Sequence, residues 1–105
     1  PSMDFNVEIT SLANQDLEDI LDYIGRELDN PSAASSFLSE VDTCYANLEK
    51  MPFMYNFCQN ARLMALGYRK VVIKNYIMIY RVEETTHTVY ILRFFYGRRD
   101  YEKLI

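Results

Sequence analysis

The sequence predicts an α+β fold. It reads as an N-terminal strand, an antiparallel two-helix hairpin on one face of a mainly antiparallel sheet, three C-terminal strands that complete the sheet, and a short tail. Three observations carry this reading. Residues 67–96 hold three runs rich in β-branched and aromatic residues, separated by the turn-like Lys74-Asn75 and the polar stretch Glu83 to His87. Residues 11–50 carry apolar positions at steps of three and four, the period of a helix with one buried face. Residues 4–10 alternate strictly between apolar and polar.

Taken in order, Phe5, Val7 and Ile9 share one side of a first strand, expected at a sheet edge. Thr10 or Ser11 caps the first helix, whose stripe is Ala13, Leu17, Ile20, Leu21, Ile24 and Leu28. Asp16, Glu18, Asp19 and Asp22 lie off that stripe and read as a solvated face rather than as metal ligands. Asn30 suits an N-cap, and Pro31 suits the first helical position, where its missing N–H costs nothing. The second helix buries Ala34, Phe37, Leu38, Val41, Tyr45 and Leu48, and Met51-Pro52 ends it. Phe53 to Asn60 has no period but is too apolar for a solvated loop, so it should pack over the rim of the core. Arg62 to Leu66 reads as a short strand or as an extension of the next one.

A length of 105 residues suits one domain and one core, so residues 1–105 are read as a single domain. Half the residues are hydrophobic, which argues against disorder. No apolar run is long enough to cross a membrane and no signal-peptide pattern is present, which predicts a cytosolic protein with no membrane partner. Pro1-Ser2 reads as a cloning remnant. Cys44 falls on the apolar face of the second helix and reads as core. With Cys58 and the lone His87 it cannot assemble a four-ligand zinc site, so no metal and no cofactor are expected. Charge is divided along the chain. Residues 1–60 hold eleven acidic and two basic residues, and residues 61–105 hold four acidic and nine basic. A surface positive on one side is implied despite the overall charge of −4.

Parity narrows where that charge lies. A two-residue turn at Lys74-Asn75 pairs Ile73 with Tyr76, Val71 with Met78 and Lys70 with Ile79. Val71, Ile73, Met78, Tyr80 and Val82 then face the helices. Lys70, Val72, Ile77, Ile79 and Arg81 face the other way. Arg93 can point either way, because the turn after Glu83 can hold four or five residues. The cost of burying an unpaired arginine places it beside Arg81. The expected result is an uncovered surface on which Lys70, Arg81 and Arg93 stand among Ile77, Ile79 and Phe95, continuing to Tyr96, Arg98 and Arg99. Mixed cationic and apolar exposure of this kind marks a binding surface. The plainer alternative is a set of solubilising charges whose stems cover apolar area.

Three segments, Leu66-Gly67-Tyr68-Arg69-Lys70, Asn75 to Val82, and Leu92-Arg93-Phe94-Phe95-Tyr96-Gly97-Arg98-Arg99-Asp100, follow the helix hairpin in that order. Over nearly its whole length the chain resembles the RelE/ParE toxins of bacterial toxin–antitoxin systems. The resemblance implies a plasmid-stabilisation-like toxin that inhibits growth and is neutralised by a cognate antitoxin, in complexes that can oligomerise. RelE-like members are metal-independent endoribonucleases that cut ribosome-bound mRNA; ParE-like members inhibit DNA gyrase by binding. The RelE-like pattern has arginine where this chain has Ile77. Arg99 matches a RelE-like phosphate-binding arginine, Arg69 approximates a lysine, and Tyr101 lies near the place of a late tyrosine. Many ParE-like chains carry His-Gly-Arg-Arg-Asp where this one has Tyr96-Gly97-Arg98-Arg99-Asp100, so no histidine base stands there. The resemblance therefore favours a non-enzymatic ParE-like toxin acting on a protein such as gyrase. A RelE-like ribonuclease using Arg99, Tyr101 and Arg69 is the alternative, and a module that only binds a partner is the third reading.

Overall fold

A computed structural model describes residues 4–105; Pro1-Ser2 lies outside the described residues. Strand β1 (Asn6–Ile9) leads into helix α1 (Ser11–Asp22), which runs on into a turn of π-helix (Tyr23–Glu27). Helix α2 (Pro31–Lys50) and a short helix α3 (Ala61–Ala65) follow. Strands β2 (Arg69–Ile73), β3 (Tyr76–Glu83) and β4 (Thr88–Tyr96) come next, then a 3₁₀ turn (Tyr101–Lys103). The sheet order is β1-β4-β3-β2, with β1 parallel to β4 and the other pairs antiparallel. The expected α+β architecture is present, with β1 at an edge.

Local chemistry sets the boundaries. The Thr10 hydroxyl accepts the Ala13 N–H at 3.1 Å and starts α1. The Asn30 side chain accepts the Ala33 N–H at 3.1 Å and, with Pro31 in the first turn, starts α2. Lys74 takes a positive φ of 54° in the two-residue hairpin turn, and the expected register follows: Lys70 opposite Ile79, Val71 opposite Met78, Ile73 opposite Tyr76.

The main core lies between the helix hairpin and one sheet face. It joins Ala13, Ile20, Ile24, Phe37, Val41, Cys44 and Leu48 to Val71, Ile73, Met78, Tyr80, Val89, Ile91 and Phe94. Tyr80 is fully buried, and its hydroxyl donates to the Pro52 carbonyl at 2.8 Å, which pins the segment after α2 to the sheet. Cys44 belongs to this core, and burial pushes its thiol up to about 11. Cys58 is fully buried on the other side, and burial raises its thiol as well. Both thiols are therefore held neutral. Iodoacetamide at pH 8 should label them about tenfold or more slowly in the native protein than in urea, read by mass spectrometry. Equal rates would show that neither site is closed.

The second face differs from expectation. Residues 61–65 form α3, not a strand; the Asn60 side chain accepts the Leu63 N–H at 3.1 Å and caps it. The helix lowers Leu63 onto the face opposite the hairpin, where Leu63, Cys58, Ile77, Ile79 and Phe95 form a second buried cluster. Tyr68, Leu92, Tyr101 and Ile105 pack around it. Arg62 fastens this cover by donating to the Glu102 carbonyl at 2.7 Å. The sheet therefore has no open face at Ile77 and Ile79, which are 7% and 0% exposed. Residues 56–58 explain the closure. Phe57 bridges Arg69, and Cys58 N–H and Lys70 N–H exchange bonds with the Tyr68 and Asn56 carbonyls, so the chain runs along the outer edge of β2 before turning into α3.

Candidate functional site: a groove along the free half of β4

Strand β1 pairs with β4 only from Thr88 to Ile91. Beyond that point no strand among the described residues lies on the outer edge of β4. Two of its backbone groups are bonded instead by α1 and the residue that caps it. The Thr10 hydroxyl donates to the Leu92 carbonyl at 3.1 Å, and the Asp16 carboxylate accepts the Phe94 N–H at 3.0 Å. A register shift between Ile79 and Tyr80 leaves Leu92 unpaired as a bulge. It also sets Arg93 opposite Ile79.

Asp16 is the centre of this junction. Its two oxygens accept from Arg93 Nε at 2.7 Å and Nη2 at 3.1 Å, a forked pair that is 16% exposed on the acid and 25% on the arginine. The hydrogen bonds it donates to Asp16 hold the Arg93 guanidinium more firmly protonated than usual. The guanidinium also lies over the Phe95 ring, 4.8 Å from its centroid. Asp16 thus does not belong to the solvated acidic face, and Arg93 is not a free cation. Arg81 is also engaged: it donates to Glu83 at 3.1 Å and lies 4.5 Å from the centroid of Tyr90. Glu83 is held below the ordinary carboxylate range by the Thr85 hydroxyl first and by Arg81 second.

Between α1 and the end of β4 a crevice of about 570 Å³ opens. Ile20, Tyr23, Leu28, Phe94, Tyr96 and Leu104 supply its apolar walls; Asp16, Asp19, Arg93 and Arg99 supply its charges. Gly97 delivers the tail to its rim. The Gly97 N–H donates to the Asn75 carbonyl at 2.7 Å, and a Cβ at this position would stand 3.0 Å from that oxygen, so a side chain would fit only if the tail and the hairpin turn moved slightly apart. Arg98 and Arg99 follow, both exposed and without an ion-pair partner among the described residues.

Of the residues expected at a binding surface, the groove gathers Arg93, Tyr96 and Arg99. Arg98 stands just beyond, in a smaller recess with Ile77 and Tyr96. Lys70 is half-buried on β2 and Arg81 is paired, so neither joins them. Asp16 and Tyr23 are groove residues that the sequence reading did not assign. Arg69 is spent elsewhere: it donates to the Tyr55 carbonyl at 2.6 Å and lies 3.9 Å from the centroid of Phe57. Tyr101 stacks on Phe95 at 6.0 Å, on the second cluster. Among the described residues no group of three or more His, Cys, Asp or Glu could hold a metal ion. No helix among them is long and apolar enough to cross a membrane.

A search of curated proteins found no match. Two solved structures share the fold. One is the toxin–antitoxin complex RelBE2 from Mycobacterium tuberculosis, at 19% identity and a TM-score of 0.62, covering 89% of this chain and 98% of that one. The other is the chromosomal ParDE toxin–antitoxin system of P. aeruginosa, at 18% identity and a TM-score of 0.67, covering 89% and 96%. The family model for the ParE toxin of the type II toxin–antitoxin system parDE matches residues 7–101. With the hairpin, the three C-terminal strands and the arginine tail all inside that span, the chain belongs to the ParE toxin family and is a type II toxin component.

Proposed function

We propose that this toxin acts by binding a protein target, with DNA gyrase the expected one, and that a cognate antitoxin neutralises it by covering the groove and the arginine tail. The observation that supports binding over RNA cleavage is the dispersal of the cations a ribonuclease needs. Phosphodiester cleavage requires a base, an acid and cations converging on one phosphate. Arg69 pairs across to Tyr80, whereas Tyr96, just before Arg98 and Arg99, pairs across to Tyr76. Those rows are four steps apart along β3, roughly 13 Å at strand rise. Arg69 is also fixed by Tyr55 and Phe57, and Tyr101 by Phe95. The exposed Arg98 and Arg99 beside aromatic Tyr96 and Tyr23 instead offer the residue types that anchor protein interfaces. An antitoxin fits the same place, since an amphipathic or extended segment can lay apolar side chains against Tyr23, Leu28 and Leu104.

The purified toxin should inhibit supercoiling by DNA gyrase. Arg98→Ala/Arg99→Ala should weaken inhibition by about thirtyfold while leaving the melting temperature unchanged. No inhibition by the wild type would overturn the gyrase assignment. Arg99-dependent cuts in ribosome-bound message would replace it with the ribonuclease reading.

A further inference from the structure

We infer that Asp16 is the residue that sets the specificity of the groove: by occupying Arg93, it closes the site to nucleic-acid phosphate and leaves it open to a protein segment. The inference rests on the protein-binding reading above and supplies a physical basis for it.

The argument starts from the charges that line the crevice. Arg93 and Arg99 would together make a phosphate site of the kind that tracks a nucleic-acid backbone. The same crevice contains Asp16 and Asp19, so its lining is formally neutral. Asp16 is not a loose counter-charge. Both of its oxygens engage Arg93, and one also accepts the Phe94 N–H, so three hydrogen bonds fix the carboxylate where a phosphate oxygen would have to arrive. The Phe95 ring stands beside the same guanidinium. A phosphate would therefore have to displace a forked carboxylate, uncover a backbone N–H and approach Asp19. A protein segment meets no such barrier: the apolar walls remain available, and Arg99 is a single free cation for a partner carboxylate.

Strand geometry adds a second reason. The N–H and C=O of one residue point to one edge of a strand and those of the next residue to the other, so residues two apart share an edge. Because the Phe94 N–H points outward to Asp16, the Phe94 C=O and the Tyr96 N–H point the same way, toward the groove. The Tyr96 carbonyl is already taken by the Arg99 N–H at 2.9 Å. A short extended segment can bond to the remaining pair.

The test compares binding of a fluorescein-labelled single-stranded RNA of about 12 nucleotides to four proteins by anisotropy across a salt series. Asp16→Asn keeps the oxygen that accepts the Phe94 N–H and Arg93 Nε, but it removes the charge and turns an amide NH2 toward Arg93 Nη2, which breaks the fork and frees that end of the guanidinium. It should bind the RNA about tenfold more tightly than wild type at low salt, with a slope of log K on log salt steeper by about 0.7. Glu18→Gln makes the same change in net charge on an exposed position of α1 and should stay within about twofold of wild type. Asp16→Asn/Arg93→Met should return to the wild-type level. No gain in Asp16→Asn, or an equal gain in Glu18→Gln, overturns the inference. Should circular dichroism show Asp16→Asn unfolded, NMR of the wild type decides: on adding the RNA at low salt, the Arg99 Nε–H signal should shift and the Arg93 signal should not. A shift at Arg93 overturns the gate. Cleavage of message by the wild type with Arg93 unmoved would instead overturn the protein-target reading alone.

Discussion

Ile77→Arg is expected to cost about 4 kcal/mol of stability and to create no ribonuclease. The substitution restores the residue type that the RelE-like pattern carries here, so it is the change that the family comparison invites. Ile77 is 7% exposed in the cluster with Leu63, Ile79 and Phe95. A guanidinium placed there loses its water and finds apolar neighbours in return. The midpoint of urea unfolding should fall steeply with the m-value unchanged, and message incubated with ribosomes should remain intact. A variant as stable as wild type would mean that α3 lifts easily from the sheet. A variant that cuts RNA would mean that the catalytic groups need only one more cation.

Leu63→Ala is the second large effect, at about 3 kcal/mol. Leu63 is fully buried and is the residue that α3 contributes to the second cluster. Its removal leaves a cavity under a five-residue helix held in its first turn by the Arg62 bond to Glu102. Hydrogen exchange should then show loss of protection first around residues 58–68 and in the C-terminal turn, while amides of α2 keep theirs. Uniform loss across the chain would show that the two clusters melt as one unit. A loss of less than about 1 kcal/mol would show that the cover contributes little.

Strand register and helix boundaries were legible from local chemistry. The two-residue turn at Lys74-Asn75 fixed which side chains of β2 and β3 share a face, and Asn30-Pro31 marked the start of α2. The second cluster was not legible for a physical reason. A helix of five residues with one inward side chain has no period to read, and its only signal was Asn60 in a capping position three residues before Leu63. Without α3, parity alone made Ile77 and Ile79 appear to face solvent. Arg93 lies on the face that the cost of burying an unpaired arginine assigns it, opposite Ile79 and over Phe95, but there it is paired with an acid rather than free. The acid was Asp16, 77 positions away, one of four similar acids on α1 and distinguishable only once the helix is laid against β4. The exposure of Tyr96 and Arg99 was legible because the tail follows the last strand and its placement does not depend on packing.

The parallel pairing of β1 with β4 has a consequence for synthesis. The contact of Thr10 with Leu92 spans 82 positions, so the first strand made must wait for the last before it has a neighbour. At about 5–20 residues per second a ribosome holds that strand unmated for several seconds. During that interval neither the groove nor its Asp16 clasp exists. A chain released early, short of β4, carries the whole helix hairpin and only one wall of the crevice.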